Sequence, residues 1–219
     1  MNHNQLKVTR LNRRWTQQEA AARLGVTQAY LSMLEEGLRD PSSNLARRLM
    51  RVYGLPPTVL PVSDVRKSVT ADSLAQGLAS LGYPGFSHLQ TGTRVANPAV
   101  FLLTALAQHN LEARVAEGLP WLVLRYSDMD FGWLVPQARM RNLQNRVGFS
   151  VTLARLASRN DALQAPEEML ADSKLEKEDS FCKDLSDPER RWLREHSSDE
   201  ARRWNLLSDL RPDTLRYVA

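Results

Sequence analysis

The chain has 219 residues, of which 42% are hydrophobic and 25% charged, with a formal net charge of +4. That is the composition of a soluble globular protein with room for more than one core. It excludes an internal disulfide, since Cys182 is the one cysteine, and a bilayer span, since the longest apolar run, 119–124, is six residues and contains Pro120.

No apolar stretch follows the charges of the opening MNHNQLKVTR. No secretory signal is therefore expected, and with a single thiol the chain reads as cytoplasmic. A first helix over 5–14 carries Leu6, Val8 and Leu11 among Arg10, Arg13 and Arg14, and Trp15 follows as an apolar residue. The stretch TQQEAAARLGVTQAYLSMLEEG, residues 16–37, then encodes two short helices and a tight turn. Thr16 and Glu19 have the spacing of a capping box, Gly25 can take the positive φ that closes a helix, and Thr27 caps the next one. Ala20, Leu24, Val26, Leu31 and Leu34 fall where the two helices must share a core, and small Ala21 permits their close approach. Gln28, Ala29, Ser32 and Met33 point the other way. Two helices so joined form a helix-turn-helix, whose second helix enters the major groove of DNA.

This segment resembles the helix-turn-helix of the phage repressor and Cro family, also called the XRE family, over roughly residues 5–60. Ala21 and Gly25 stand at its small-residue and turn positions, and Gly37 at the glycine ending the recognition helix. The resemblance implies a phosphate contact for Gln17. It also implies a buried salt bridge between Arg10 and Glu35 that ties the first helix to the third.

Beyond Gly37, LRDPSSN is a loop of turn formers, a fourth helix covers about 45–53, and LPPTVLP marks the exit from a first domain at 1–61. That domain holds nine Lys and Arg against four acids, +5, while the remainder holds 20 against 21, −1. The excess of positive charge thus lies with the helix-turn-helix, as contact with a phosphate backbone requires. By residue type, Gln28 is the strongest base reader, because its amide donates and accepts as adenine does. Ala29 and Met33 suit a thymine methyl, Met33 alternatively the scaffold, and Ser32 a close approach or a water bridge. Gln17, Thr27 and Arg39 are phosphate candidates, with Arg13 and Arg14 as additions, and Tyr30 either meets the sugar-phosphate edge or folds back on the scaffold.

Residues 62–97 read as a linker: a short helix over 71–81, then the Gly- and Pro-rich GYPGFSHLQTGTRVANP as an irregular strap packed by Tyr83 and Phe86. From 98 to 219 the pattern predicts a helical dimerisation or partner-binding domain, making the whole protein all-α with a larger helical domain behind the first. Three or four helices fit 98–160, with Pro120 and Pro136 kinking or splitting them. The stretch 161–184 is polar and predicts a helix from Pro166 with mostly solvated faces. Two capped units follow, from Ser186 and Ser198, which bury Trp192, Leu193, Trp204, Leu206 and Leu207 or offer the tryptophans to a partner.

The strings NPAVFLLTALAQHNL, GLPWLVLRY and RNLQNRVGFSVTLAR resemble the C-terminal part of helix-turn-helix proteins that accompany nucleotidyltransferase-like toxins of the abortive-infection type. That resemblance implies an antitoxin that represses its own operon and grips the toxin protein. No catalytic constellation is apparent: Cys182 with His196 or His88 is a weak nucleophile–base pairing, there are too few ligands for a metal, and no Gly-rich phosphate loop suggests a cofactor. The expectation is a repressor that binds a double-stranded DNA operator as a homodimer, with no enzymatic activity and no membrane. The alternative is a one-component regulator that senses a small molecule between Trp121, Tyr126, Phe131 and Trp133.

Overall fold

The computed structural model describes residues 3–62, 65, 68–89 and 95–217. The chain is all-α and divides into two compact units, residues 1–63 and 64–219. Among the described residues the only β pairing is a two-residue parallel pair and one isolated bridge.

The first unit holds α1 (His3–Asn12), α2 (Gln17–Leu24), α3 (Gln28–Glu35) and α4 (Ser43–Tyr53), closed by a 3-10 turn at Pro57–Val59. Its core is small and aliphatic: Leu6, Ala20, Leu24, Leu31, Leu34 and Leu49 are fully buried around Tyr53. Val26 packs at the edge of this core. Ser42 caps α4 by accepting from the Leu45 amide, and Gly54 ends it in the left-handed region.

The second unit begins earlier than the sequence suggests. α5 (Ala71–Ser80) and the 3-10 turn Pro84–Leu89, read from sequence as part of a linker, belong to its core, because Leu74, Leu78, Tyr83 and Phe86 pack into the same cluster as the helices that follow. The part of the strap at 90–94 lies outside the described residues. Four helices then fill 98–160: α6 (Pro98–Leu106), α7 (Ala113–Arg125), α8 (Phe131–Met140) and α9 (Gln144–Ser158). Neither proline breaks its helix, since α7 continues through Pro120 and α8 through Pro136. Every residue of α6 is buried, as expected of a helix apolar on all sides.

Residues 161–184 depart furthest from the solvated helix expected of them. α10 (Gln164–Ala171) is short, and Glu167 on it is buried, its carboxylate held by Arg155 at 2.5 Å and Arg203 at 2.8 Å. The chain after α10 runs as an irregular strap with no helix of its own, and consecutive side chains at the start of α9 satisfy several of its backbone groups. Gln144 donates to the Ser173 carbonyl, and Asn145 both donates to the Leu175 carbonyl and accepts from its amide. Arg146 ion-pairs with Asp179 at 2.8 Å and donates to the carbonyls of Leu106, Gln108 and Ser180. The strap ends in β1 (Asp179–Ser180), which pairs with β2 (Leu206–Leu207).

The two capped units become α11 (Asp187–His196) and α12 (Asp199–Arg203), and their tryptophans part company. Trp204 is fully buried, lies over Gly148 of α9 and donates its indole N–H to Thr152 at 2.8 Å. A Cβ on Gly148 would sit 2.3 Å from the indole, so only glycine admits this approach. Leu206 and Leu207 are buried as expected, but α11 has no buried residue: Leu193 is half-buried and Trp192 is 49% exposed.

Candidate nucleic-acid interface

The geometry of α2 and α3 follows from their ends. Thr16 Oγ1 accepts from the Glu19 amide while the Glu19 carboxylate accepts from the Thr16 amide at 2.8 Å, so two otherwise orphaned donors are satisfied. Gly25 takes φ 63° and ψ 40°, and the amides of Gly25 and Val26 return to the carbonyls at the end of α2. Arg48 from α4 adds a donor to the Leu24 carbonyl at 2.6 Å. Thr27 then accepts from the Tyr30 amide and starts α3 in a new direction. With Leu31 and Leu34 buried against α2, the opposite arc of α3 has no apolar partner to seek.

That arc carries the four residues read from sequence as base contacts. Gln28 and Ala29 are exposed, and Ser32 and Met33 are half-buried. The Ser32 hydroxyl donates to the Glu36 carboxylate at 2.8 Å. Tyr30, placed off this arc, is half-buried and packs against the core of the unit.

A buried ion pair fixes α3 from behind. Arg10 on α1 meets Glu35 through Nε–Oε1 at 2.6 Å and Nη2–Oε2 at 3.0 Å, and its Nη1 donates to the Trp15 carbonyl. Gln17, at the start of α2, donates from Nε2 to the same carboxylate at 3.1 Å. Burial opposes ionisation of Glu35, but the hydrogen bonds from Arg10 and Gln17 and the charges of Arg10 and Lys7 more than offset it, leaving the carboxyl below its ordinary value. Burial, reinforced by the Glu35 charge, pushes the neighbouring Tyr53 hydroxyl up to about 12. An amide nitrogen carries two hydrogens, so one donor of Gln17 remains beyond the one that serves Glu35.

The cationic candidates divide by what they already touch. Arg13 closes α4, donating to the carbonyls of Val52 and Tyr53 at 2.7 Å each, and lies over the Trp15 ring. Arg23 lies over the same ring, 4.5 Å from its centroid. Arg14 and Arg39 are exposed and, among the described residues, have no ion-pair partner, and Thr27 is exposed beside the turn. The roles of Arg13 and Arg48 as clamps on helix ends are not signalled by local spacing, since the carbonyls they close lie in other helices.

Elsewhere, Cys182 donates to the Asn110 side chain at 3.3 Å, and His196 stacks on Trp192 with ring centroids 4.4 Å apart. Among the described residues no group of three or more His, Cys, Asp or Glu is arranged to hold a metal ion. Among them, too, no helix is long and apolar enough to cross a membrane.

Residues 6–60 match a family model described as helix-turn-helix, a stretch that runs from within α1 through α4. No curated protein and no solved structure matches the chain. Residues 6–60 are thus an XRE-type helix-turn-helix, a DNA-binding domain, and the chain is a DNA-binding transcription regulator.

Proposed function

We propose that this regulator is a sequence-specific repressor that binds its operator as a homodimer through α3. The observation that carries the reading is the exposed edge of Gln28 and Ala29 on a helix capped at its start and pinned from behind by the Arg10–Glu35 pair. An amide held on a fixed helix can discriminate bases; the same amide on a loose segment would lose that energy to ordering. One domain reads a half-site, and two related by a two-fold axis meet half-sites one helical turn, ~34 Å, apart. The reading implies a cytoplasmic protein.

Titrating a labelled duplex from the chain's own promoter, and a shuffled duplex of equal length, over a series of salt concentrations tests this. Tighter binding to the promoter, with two protein chains per operator by sedimentation, is the expected result. Equal affinity for both duplexes contradicts it. Arg39→Ala is expected to weaken both duplexes alike and reduce the salt slope by about 1.

We assign the second unit to a protein partner, and the resemblance of its strings to antitoxins makes that partner a nucleotidyltransferase-like toxin. The exposed Trp192–His196 stack on α11 supports a partner surface there, since interfaces are enriched in Trp. Co-expression with the neighbouring reading frame and isolation of a stoichiometric complex, lost in Trp192→Ala, is the test. The ligand-sensing alternative draws less support. Trp121 packs on Tyr83 at 5.2 Å and Tyr126 donates its hydroxyl to the Leu81 carbonyl, so both are used in the core, while Phe131 and Trp133 are partly buried against it.

A further inference from the structure

The outward arc of α3 includes a charged side chain that sequence reading leaves without a role, Glu36. At about 100° per residue, position 36 falls between Ser32 and Ala29 around the helix axis, near the middle of the arc that Gln28 and Met33 bound. Glu36 keeps helical backbone angles, φ −87° and ψ −6°, so that arc extends to it. It is exposed, and none of the ion pairs among the described residues includes it. Among the described residues its carboxylate accepts from the Ser32 hydroxyl at Oε1, 2.8 Å away, which leaves Oε2 to accept from elsewhere.

An anion facing phosphates opposes association, whereas an anion facing base edges meets donors. In the major groove the donor matched to a carboxylate is the N4 amino group of cytosine. Gln28 supplies the amide suited to adenine, so a carboxylate further along the arc adds a different base to the half-site. We infer that Glu36, oriented by Ser32, is a specificity-determining residue that accepts a hydrogen bond from cytosine N4. The inference rests on the DNA-reading role of α3 proposed above.

Selection of duplexes from a randomised library by the full-length protein, followed by sequencing, tests it with four proteins: the unaltered chain, Glu36→Gln, Ser32→Ala and Gln28→Ala. The unaltered chain should enrich cytosine at one half-site position that Gln28→Ala leaves untouched. Glu36→Gln should lose the preference for cytosine there by roughly 5- to 150-fold, and Ser32→Ala should weaken it in the same direction by less. Glu36 is exposed, so thermal melting should be unchanged in its variant. If Glu36→Gln keeps every base preference and only binds all duplexes more tightly, the carboxylate acts as bulk charge and the inference is overturned while the role of Gln28 stands. If the unaltered chain enriches no sequence, the DNA-reading role itself fails, and this inference with it.

Discussion

Each unit contains an arginine–carboxylate pair in which the arginine is buried, and the two pairs serve opposite kinds of structure. Arg10 and Glu35 join helices that are already complete, and the pair fixes the direction in which α3 presents its outer edge. Arg146 and Asp179 hold a segment that has no regular structure of its own, with Gln144 and Asn145 satisfying the backbone just before it. A buried pair adds little net energy over apolar packing, but losing one partner strands a charge. The difference therefore teaches where each unit would fail: the first by losing the pose of a helix, the second by losing a strap.

The largest expected effects come from breaking those pairs. Arg146→Ala removes the guanidinium donor to the carbonyls of Leu106, Gln108 and Ser180 and leaves Asp179 with Lys183 as its ion-pair partner, and should cost about 3–5 kcal/mol in the second unit, read as a lowered denaturation midpoint and as rapid amide exchange over 173–182. Glu35→Ala should cost the first unit a similar amount by stranding Arg10, and reduce operator affinity, with the strap's exchange unaltered. If either substitution destabilised both units equally, the assignment of one pair to each unit would be wrong.

A smaller effect tests the packing that closes the second unit. Gly148→Ala places a methyl group where the Trp204 indole lies and should cost about 1–3 kcal/mol, visible as a shift in Trp fluorescence and in melting temperature. Smaller still, Thr16→Ala removes the hydroxyl half of the capping box and should cost the first unit about 1 kcal/mol in chemical denaturation.

Acid sharpens the comparison without mutation. Burial raises and the Arg146 and Lys183 hydrogen bonds lower the Asp179 carboxyl, with the net result below its ordinary value, as for Glu35. A depressed carboxyl contributes its full stabilisation above the ordinary value, 3.8 for Asp179 and 4.5 for Glu35, and loses it as pH falls through the lower folded value. Near neutral pH neither pair should show pH dependence. The first unit should weaken below about pH 4.5 and the second below about pH 3.8, and Glu35→Gln should flatten the acid slope of the first alone.

The first unit was legible because its determinants are local. Thr16 and Glu19 are one turn apart, Gly25 sits at the bend it makes, and the apolar positions repeat at helical spacing. The pairing of Arg10 with Glu35 came from family resemblance and is present in the structure. The second unit hid its logic in partners distant in sequence. Glu167 looks like a solvated acid until Arg155 and Arg203 converge on it. Trp192 and Trp204 both follow capped helix starts, yet Trp204 finds Gly148 and Thr152 on a remote helix and is buried there, while Trp192 is exposed. Tyr83 and Phe86 pack their strap as the sequence predicts, but the sequence does not tell that the cluster they join is the core of the whole second unit. At the interface, the arc of α3 was readable from its period, whereas the use of Arg13 to close α4 depended on an approach that no spacing encodes.

The most direct measurement compares the affinity of the unaltered chain and of Gln28→Ala for the promoter duplex and for a shuffled one, at a single salt concentration. A base-reading α3 predicts that the substitution narrows the gap between the two duplexes by ~1–3 kcal/mol while leaving the shuffled affinity nearly unchanged. Equal losses on both duplexes would show that this edge touches only the backbone, and would contradict the reading of α3 as the source of selectivity.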